Sequence, residues 1–244
     1  MMEKRLRIHS NFLSRDLDYC VFGAGGKVCF VFPEQNGRYF DFKNFGLFDA
    51  VSKWTENGQV QLICVDSIDN DSWSDEKGNP RKRIELQEKW YHHIVDEMFP
   101  LYVKNGEKAM VTGCSMGGYH SAIFFFRRPD LFDTMLSLSG LYSPKLFFGN
   151  YIDDLVYDNS PCHFLRNMPS NHPYIELYNK STIIACAGQH DSEKFLFGET
   201  KELDKILTQK NIKHWFDYWG YDVSHDWYWW GKQLFYFFGH IFEN

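Results

Sequence analysis

Ser115, Asp191 and His225, in that order along the chain, are the residues whose types and spacing could do chemistry. A serine hydroxyl is a weak nucleophile at its own pKa, so it needs an adjacent base, and the base needs an acid to orient it. Ser115 lies in Gly113-Cys114-Ser115-Met116-Gly117. This Gly-x-Ser-x-Gly closes the apolar run 109–112 and opens a helix-like pattern through Ala122, Ile123 and Phe126 that Pro129 stops. That is the context of a nucleophile elbow, where the chain turns sharply from strand to helix and two glycines relieve the crowding around the serine. With 18 Gly and 16 Ser in 244 residues, chance placement gives about 0.09 such matches per chain. The motif therefore needs support from the rest of the chain.

Asp191 stands just past the apolar run 182–187, and His225 stands in the loop after the last strand-like run. Serine, acid, histidine, each at the C-terminal end of a strand, is one of the orders in which such triads occur. Taken alone, Asp191 reads as a helix cap or turn aspartate, and His225 as a loop histidine among aromatics. Glu193 competes for the acid's role but lies farther from the strand end. The three residues in order point to nucleophile, base and orienting acid. His120 and His190 read as structural or substrate-side residues, and Cys114, one residue before the apex, as packing. An attacked carbonyl becomes an oxyanion that backbone amides can stabilise. Met116 N–H is the first expected donor. The loop after the run 28–32 should supply the second, and Gln35 is chosen ahead of Asn36 and Gly37. Trp73, Trp227 and Trp230 are candidate substrate-binding walls.

Elements must hold these residues in place. Runs 5–13 and 17–22 alternate as two strands; 28–32, 59–65, 109–112, 134–140, 182–187 and 214–219 read as further strands. Helical patterns cover 45–57, 83–102 (with Trp90, Ile94, Met98 and Leu101 on one face), 199–209 and 229–241. Strand–helix–strand alternation implies parallel strands with helices outside. The polar loop 33–37 then falls on the sheet edge where ligands bind. The acidic loop 66–73 lacks the glycine and closing glutamate of a calcium-binding EF-hand loop and reads as solvated. Residues 144–180 break the rhythm and read as a lid-like insertion. With no repeats or linkers, one domain over 1–244 is expected.

Composition narrows the partners. A net charge of -6, a pI near 5.9 and no long basic run leave no electrostatic footprint for nucleic acid or an anionic membrane. No segment approaches the ~20 apolar residues of a membrane span, and the first residues carry no apolar secretory segment, so a cytoplasmic location is expected. Cys29, Cys64 and Cys186 sit in apolar runs as small hydrophobes. No cysteine pair has metal-ligand spacing, and neither metal nor cofactor is called for. Aromatics make up 18% of the chain and crowd toward its C-terminus, mostly as core.

Three segments together resemble the esterase family of α/β-hydrolases that includes esterase D, the S-formylglutathione hydrolases and the antigen 85 mycolyltransferases. They are Ser10-Asn11-Phe12-Leu13-Ser14-Arg15-Asp16, Gly113-Cys114-Ser115-Met116-Gly117-Gly118, and His225-Asp226-Trp227-x-x-Trp230. The resemblance covers most of the chain. It implies the α/β-hydrolase fold: a mostly parallel central sheet, helices on both faces and antiparallel N-terminal strands. It also implies Ser115 as nucleophile, His225 as base, Asp191 as its partner, and Met116 with Gln35 as oxyanion donors. The implied activity is that of a serine carboxylesterase on a small-molecule ester, through an acyl-enzyme. The chain departs from many relatives at Pro33-Glu34, where they carry His-Gly. Acyl transfer on the same fold is the alternative activity, and a non-catalytic binding protein is the other; the intact serine–acid–histidine order argues against the latter.

Overall fold

The computed structural model describes residues 3–104 and 106–243. Strands β1 (Glu3–Ser10) and β2 (Arg15–Phe22) form a hairpin, followed by β3 (Lys27–Phe32), helices α1 (Asp41–Asn44) and α2 (Leu47–Glu56), and β4 (Val60–Val65). Helix α3 (Pro80–His92) runs through a π-helical stretch, His93–Met98, into α4 (Phe99–Tyr102). Next come β5 (Ala109–Cys114), α5 (Met116–Arg127) and β6 (Phe132–Leu138), then the short helices α6 (Lys145–Phe148), α7 (Asp154–Asp158), α8 (Pro161–Asn167) and α9 (Pro173–Asn179). Strand β7 (Thr182–Ala187), α10 (Lys194–Gln209), β8 (Trp215–Tyr218) and α11 (Trp227–Phe242) complete the chain.

The strands form one sheet in the order β1-β2-β4-β3-β5-β6-β7-β8. Pairs β1/β2 and β2/β4 are antiparallel and all others parallel. This matches the expected architecture, because strands covered on both faces carry near-continuous apolar runs. Successive side chains of β3 illustrate it. Phe30 and Phe32 join a core built with α3, α5 and α10, while Cys29 and Val31 join a second core with α1, α2 and α11. Ser115 directly follows β5, Asp191 lies past the end of β7, and His225 lies in the loop between the edge strand β8 and α11, all where the C-terminal ends of the parallel strands open.

Two expectations are corrected. Leu101 is 60% exposed although Trp90, Ile94 and Met98 are buried, because the π-helical stretch carries an extra residue per turn and rotates the following face outward. The acidic loop is not solvated throughout: Asp66 and Asp69 are buried and bind backbone groups of the neighbouring loop. The insertion 144–180 packs onto the sheet's larger core, with Phe147, Phe148, Val156, Leu165 and Tyr178 all buried in it. Arg83 ties it to the acidic loop, donating to the carbonyls of Ser72 (2.8 Å), Trp73 (2.5 Å) and Phe147 (3.0 Å). Among the described residues no helix is long and apolar enough to cross a membrane, and all six cysteines are buried and unpaired.

Candidate active site

Ser115 is the residue at the turn between β5 and α5, with φ +55° and ψ -119°, a conformation that non-glycine residues adopt only when their surroundings enforce it. The enforcement is visible at the flanking glycines. A Cβ on Gly113 would collide with the backbone of Gly117, and one on Gly117 with the carbonyl oxygens of Phe32 and Pro33. The elbow is thus locked to itself and to the end of β3. Ser115 N–H donates to Leu138 O (2.8 Å), anchoring the turn to β6.

His225 Nε2 lies 3.0 Å from Ser115 Oγ, and His225 Nδ1 lies 2.6 Å from Glu193 Oε1. A carboxylate only accepts, so Nδ1–H donates to Glu193, and the Nε2 lone pair is left to accept the serine proton. Glu193 is fully buried, whereas the His225 side chain keeps 25% of its surface. The other oxygen of Glu193 has no partner among the described residues, so the carboxylate's interactions concentrate on His225. The histidine is further held by its backbone N–H, which donates to Ser192 Oγ (3.0 Å), and by Trp230, whose ring stands edge-on to the imidazole at 4.8 Å. Trp230 is itself fixed by an Nε1–H bond to Ser139 Oγ (3.1 Å). Asp226 caps α11 through the N–H groups of Tyr228 and Trp229, which fixes the start of the helix immediately after His225.

Asp191, the expected acid, is exposed on the short turn Asp191–Glu193 and is not the partner of His225. The longer side chain of Glu193 reaches the imidazole from two residues further on. A sequence signal for this existed. Extended backward, the buried stripe Leu196, Thr200, Leu203 and Leu207 of α10 passes through position 193, three residues before Leu196, and misses 191. His190 is exposed and accepts from Ser192 N–H. Cys114 is buried, and burial pushes its thiol well above the usual range, as suits a packing residue.

The expected oxyanion donors belong to the start of α5 and to the turn 34–37. Met116 N–H belongs to the first turn of α5, where helix amides lack intrahelical acceptors. In the facing loop, Asn36 N–H donates to Asp69 Oδ2 (3.2 Å) and Gly37 N–H to Glu34 O (2.8 Å). Gln35 N–H donates to no described residue, so of the three rivals it is the free one; its side chain is turned away, bonding Ser74 Oγ at 2.9 Å. Beneath this loop is a cavity of about 10 Å³, lined among others by Glu34, Arg38, Cys114 and Trp227, which is room for about one water. Burial, with help from Asp41 and Asp69, pushes the Glu34 carboxyl up to about 7.

The three tryptophans separate. Trp227 lines that cavity and stacks on Phe45 at 4.3 Å. Trp230 packs on the histidine and is nearly buried. Trp73 is corrected: it is fully buried between Tyr119, Phe147 and Phe148 and offers no surface to a substrate. Sequence reasoning missed Asp66 and Asp69, which bind the loop 36–39 from below. Arg38 forms a two-pronged pair with Asp66 (2.9 and 3.1 Å), and Tyr39 N–H donates to the same carboxylate (2.9 Å).

A family model described as "Putative esterase" matches residues 37–241. Solved structures share the fold at low identity. A ferulic acid esterase superposes with a TM-score of 0.76 at 15% identity, covering 100% of this chain and 99% of that one. An S-formylglutathione hydrolase from Agrobacterium tumefaciens gives 0.75 at 12%, over 99% and 95%. The fluorophosphonate-binding serine hydrolase FphF of Staphylococcus aureus gives 0.72 at 14%, over 100% and 99%. The fold is that of the α/β-hydrolases. Among curated protein sequences, none matches the chain.

Proposed function

The chain belongs to the Esterase family, and from that premise we propose that it is a serine carboxylesterase in which Ser115, His225 and Glu193 form the catalytic triad. The observation that carries this reading is the unbroken chain of contacts from Ser115 Oγ through His225 to buried Glu193. As Ser115 Oγ attacks the ester carbonyl carbon, its proton passes to His225 Nε2, and the carbonyl electrons move onto the oxygen. That oxyanion faces Met116 N–H and Gln35 N–H, each donor being worth ~3 kcal/mol in comparable sites. Collapse of the intermediate expels the alkoxide, which takes the proton from His225 and leaves as the alcohol. Water then enters, gives a proton to Nε2, attacks the acyl carbon and releases the acid, with the proton returned to Ser115. Glu193 holds Nδ1–H and steadies the imidazolium that forms twice per cycle. The substrate is a small-molecule ester, and no metal is assigned a role.

The test is labelling by a fluorophosphonate together with turnover of short p-nitrophenyl esters. The wild-type chain should do both. Ser115→Ala should lose the label and about 10⁶-fold in kcat; full activity in that variant would remove Ser115 from the mechanism.

A further inference from the structure

We propose that Asp69 and His120 form a buried positioning pair that holds the Gln35 amide and the Met116 amide in one frame. The inference rests on the hydrolase reading above. Neither residue hydrogen-bonds to Ser115 or His225. Asp69 is 1% exposed and His120 fully buried. One carboxylate oxygen of Asp69 lies 3.1 Å from His120 Nε2, and the other accepts Asn36 N–H. Three elements therefore meet at one carboxylate: the loop after β4, which carries Asp69; the turn after β3, which carries Gln35 and Asn36; and α5, which begins at Met116 and carries His120 on its second turn.

Two features show that the pair does more than fill space. First, His120 Nδ1 is buried without a partner among the described residues, so this imidazole gives up a hydrogen bond to present Nε2 to Asp69. An apolar side chain wedged between Phe32 and Trp90, the rings that flank His120, would fill the same space with no unmet polar atom. Second, the bond falls on the one residue of the turn with a left-handed backbone, Asn36 at φ +60°. The turn 34–37 closes through Gly37 N–H to Glu34 O, and a left-handed residue at its third position suits a type II turn. The Gly37 N–H bond to Glu34 O sets the plane of the Glu34–Gln35 peptide, which carries the Gln35 N–H, and tying down Asn36 N–H sets the plane of the next peptide, so the two bonds together hold Gln35 from both sides. The loop cannot swing toward the other side either, because Gly117 packs against the Phe32 and Pro33 carbonyls.

The role is positioning, so its signature is a defect in the transition state with ground-state binding intact. The experiment compares wild type, Asp69→Ala, Asp69→Asn and His120→Gln in kcat and KM on p-nitrophenyl acetate. It adds the affinity of an alkyl trifluoromethyl ketone, whose adduct with the serine places an oxyanion in the same position. Asp69→Ala should lose about 10²-fold in kcat, with KM within about threefold and trifluoromethyl ketone affinity falling in step with kcat. Asp69→Asn, which keeps an acceptor for Asn36 N–H, should recover most of that loss. His120→Gln should fall by about tenfold in both kcat and ketone affinity, and it decides the matter if Asp69→Ala does not fold. Folded variants with wild-type kcat and ketone affinity overturn the pair's role while leaving the hydrolase reading standing. A wild-type chain inert to both fluorophosphonate and esters overturns both.

Discussion

On one side of Ser115, the loops after β7 and β8 contribute side chains: Glu193 and His225, steadied by Trp230 and Ser192. On the other side, the loop after β3 contributes backbone amides and the loop after β4 the carboxylates beneath them: Gln35 N–H has no partner among the described residues, Asn36 N–H is held by Asp69, and Tyr39 N–H by Asp66. In the proposed mechanism the first wall works through residue identity and the second through loop shape. A proton relay needs particular atoms with particular basicities, whereas an oxyanion needs only N–H groups at the right point in space, which any residue but proline can supply. The two walls should therefore answer differently to substitution.

The largest contrast lies within the side-chain wall. Glu193→Gln keeps the shape but removes the charge that holds His225 in its tautomer and steadies the imidazolium, so kcat on p-nitrophenyl esters should fall about 10⁴-fold. Asp191→Asn should leave kcat within about twofold, since Asp191 is exposed and the His225 Nδ1 partner is Glu193. If the two effects were reversed, the acid would be Asp191 in the working enzyme, and the pairing of this wall would be wrong.

Gly117→Ala strikes where the walls join. Its new methyl would meet the Phe32 and Pro33 carbonyls, so either the start of α5 or the loop after β3 must shift. A displacement of about 1 Å between the two amides should cost about 10²-fold in kcat. The His225–Glu193 contact is untouched, so the expected pattern is slow but stoichiometric fluorophosphonate labelling of Ser115. Loss of labelling altogether would mean that the nucleophile, and not the amide side, had moved.

The same division explains what the sequence told. The elbow, the succession of strands and helices, and the choice of His225 were legible because each depends on side chains or on missing ones: Gly113 and Gly117 are demanded by contacts closer than a Cβ permits. Glu193 was partly legible, as the α10 stripe runs through it, but proximity to the strand end favoured Asp191 because reach along a turn is not written in spacing. The carboxylate wall was not legible. Asp66 and Asp69 look solvated in the string Asp66-Ser67-Ile68-Asp69-Asn70-Asp71, and only the fold brings backbone N–H groups to them. Trp73 failed for the opposite reason: a tryptophan beside a binding edge has the same composition whether its ring faces the cleft or the core.

Trp230 tests how far the side-chain wall depends on its supports. Trp230→Phe keeps an aromatic face against His225 but drops the Nε1–H bond to Ser139 Oγ, in a nearly buried site. The unfolding free energy should fall by about 1–2 kcal/mol, and kcat by about tenfold as the imidazole gains freedom. Both are readable from denaturant titration and steady-state kinetics. A stability loss with unchanged kcat would confine Trp230 to packing.

The smallest effect, in stability rather than rate, belongs to Glu34 in the amide wall. Its carboxyl is pushed up to about 7, chiefly by burial and further by Asp41 and Asp69, against about 4.3 in an unfolded chain. Because the folded state holds this proton more tightly, the contribution of Glu34 to stability is present at low pH. It is lost as pH rises from about 4.3 through about 7, where the folded protein must ionise a half-buried acid. The Arg38 guanidinium does not relieve that cost, being already engaged in both prongs by Asp66. Glu34→Gln cannot ionise, so its Tm should gain on wild type by a few degrees between pH 5 and pH 8, and thermal melts at the two pH values read the difference directly. Parallel curves would mean that the carboxyl is solvated after all, and that this wall is shaped by fewer buried acids than Asp66, Asp69 and Glu34 together.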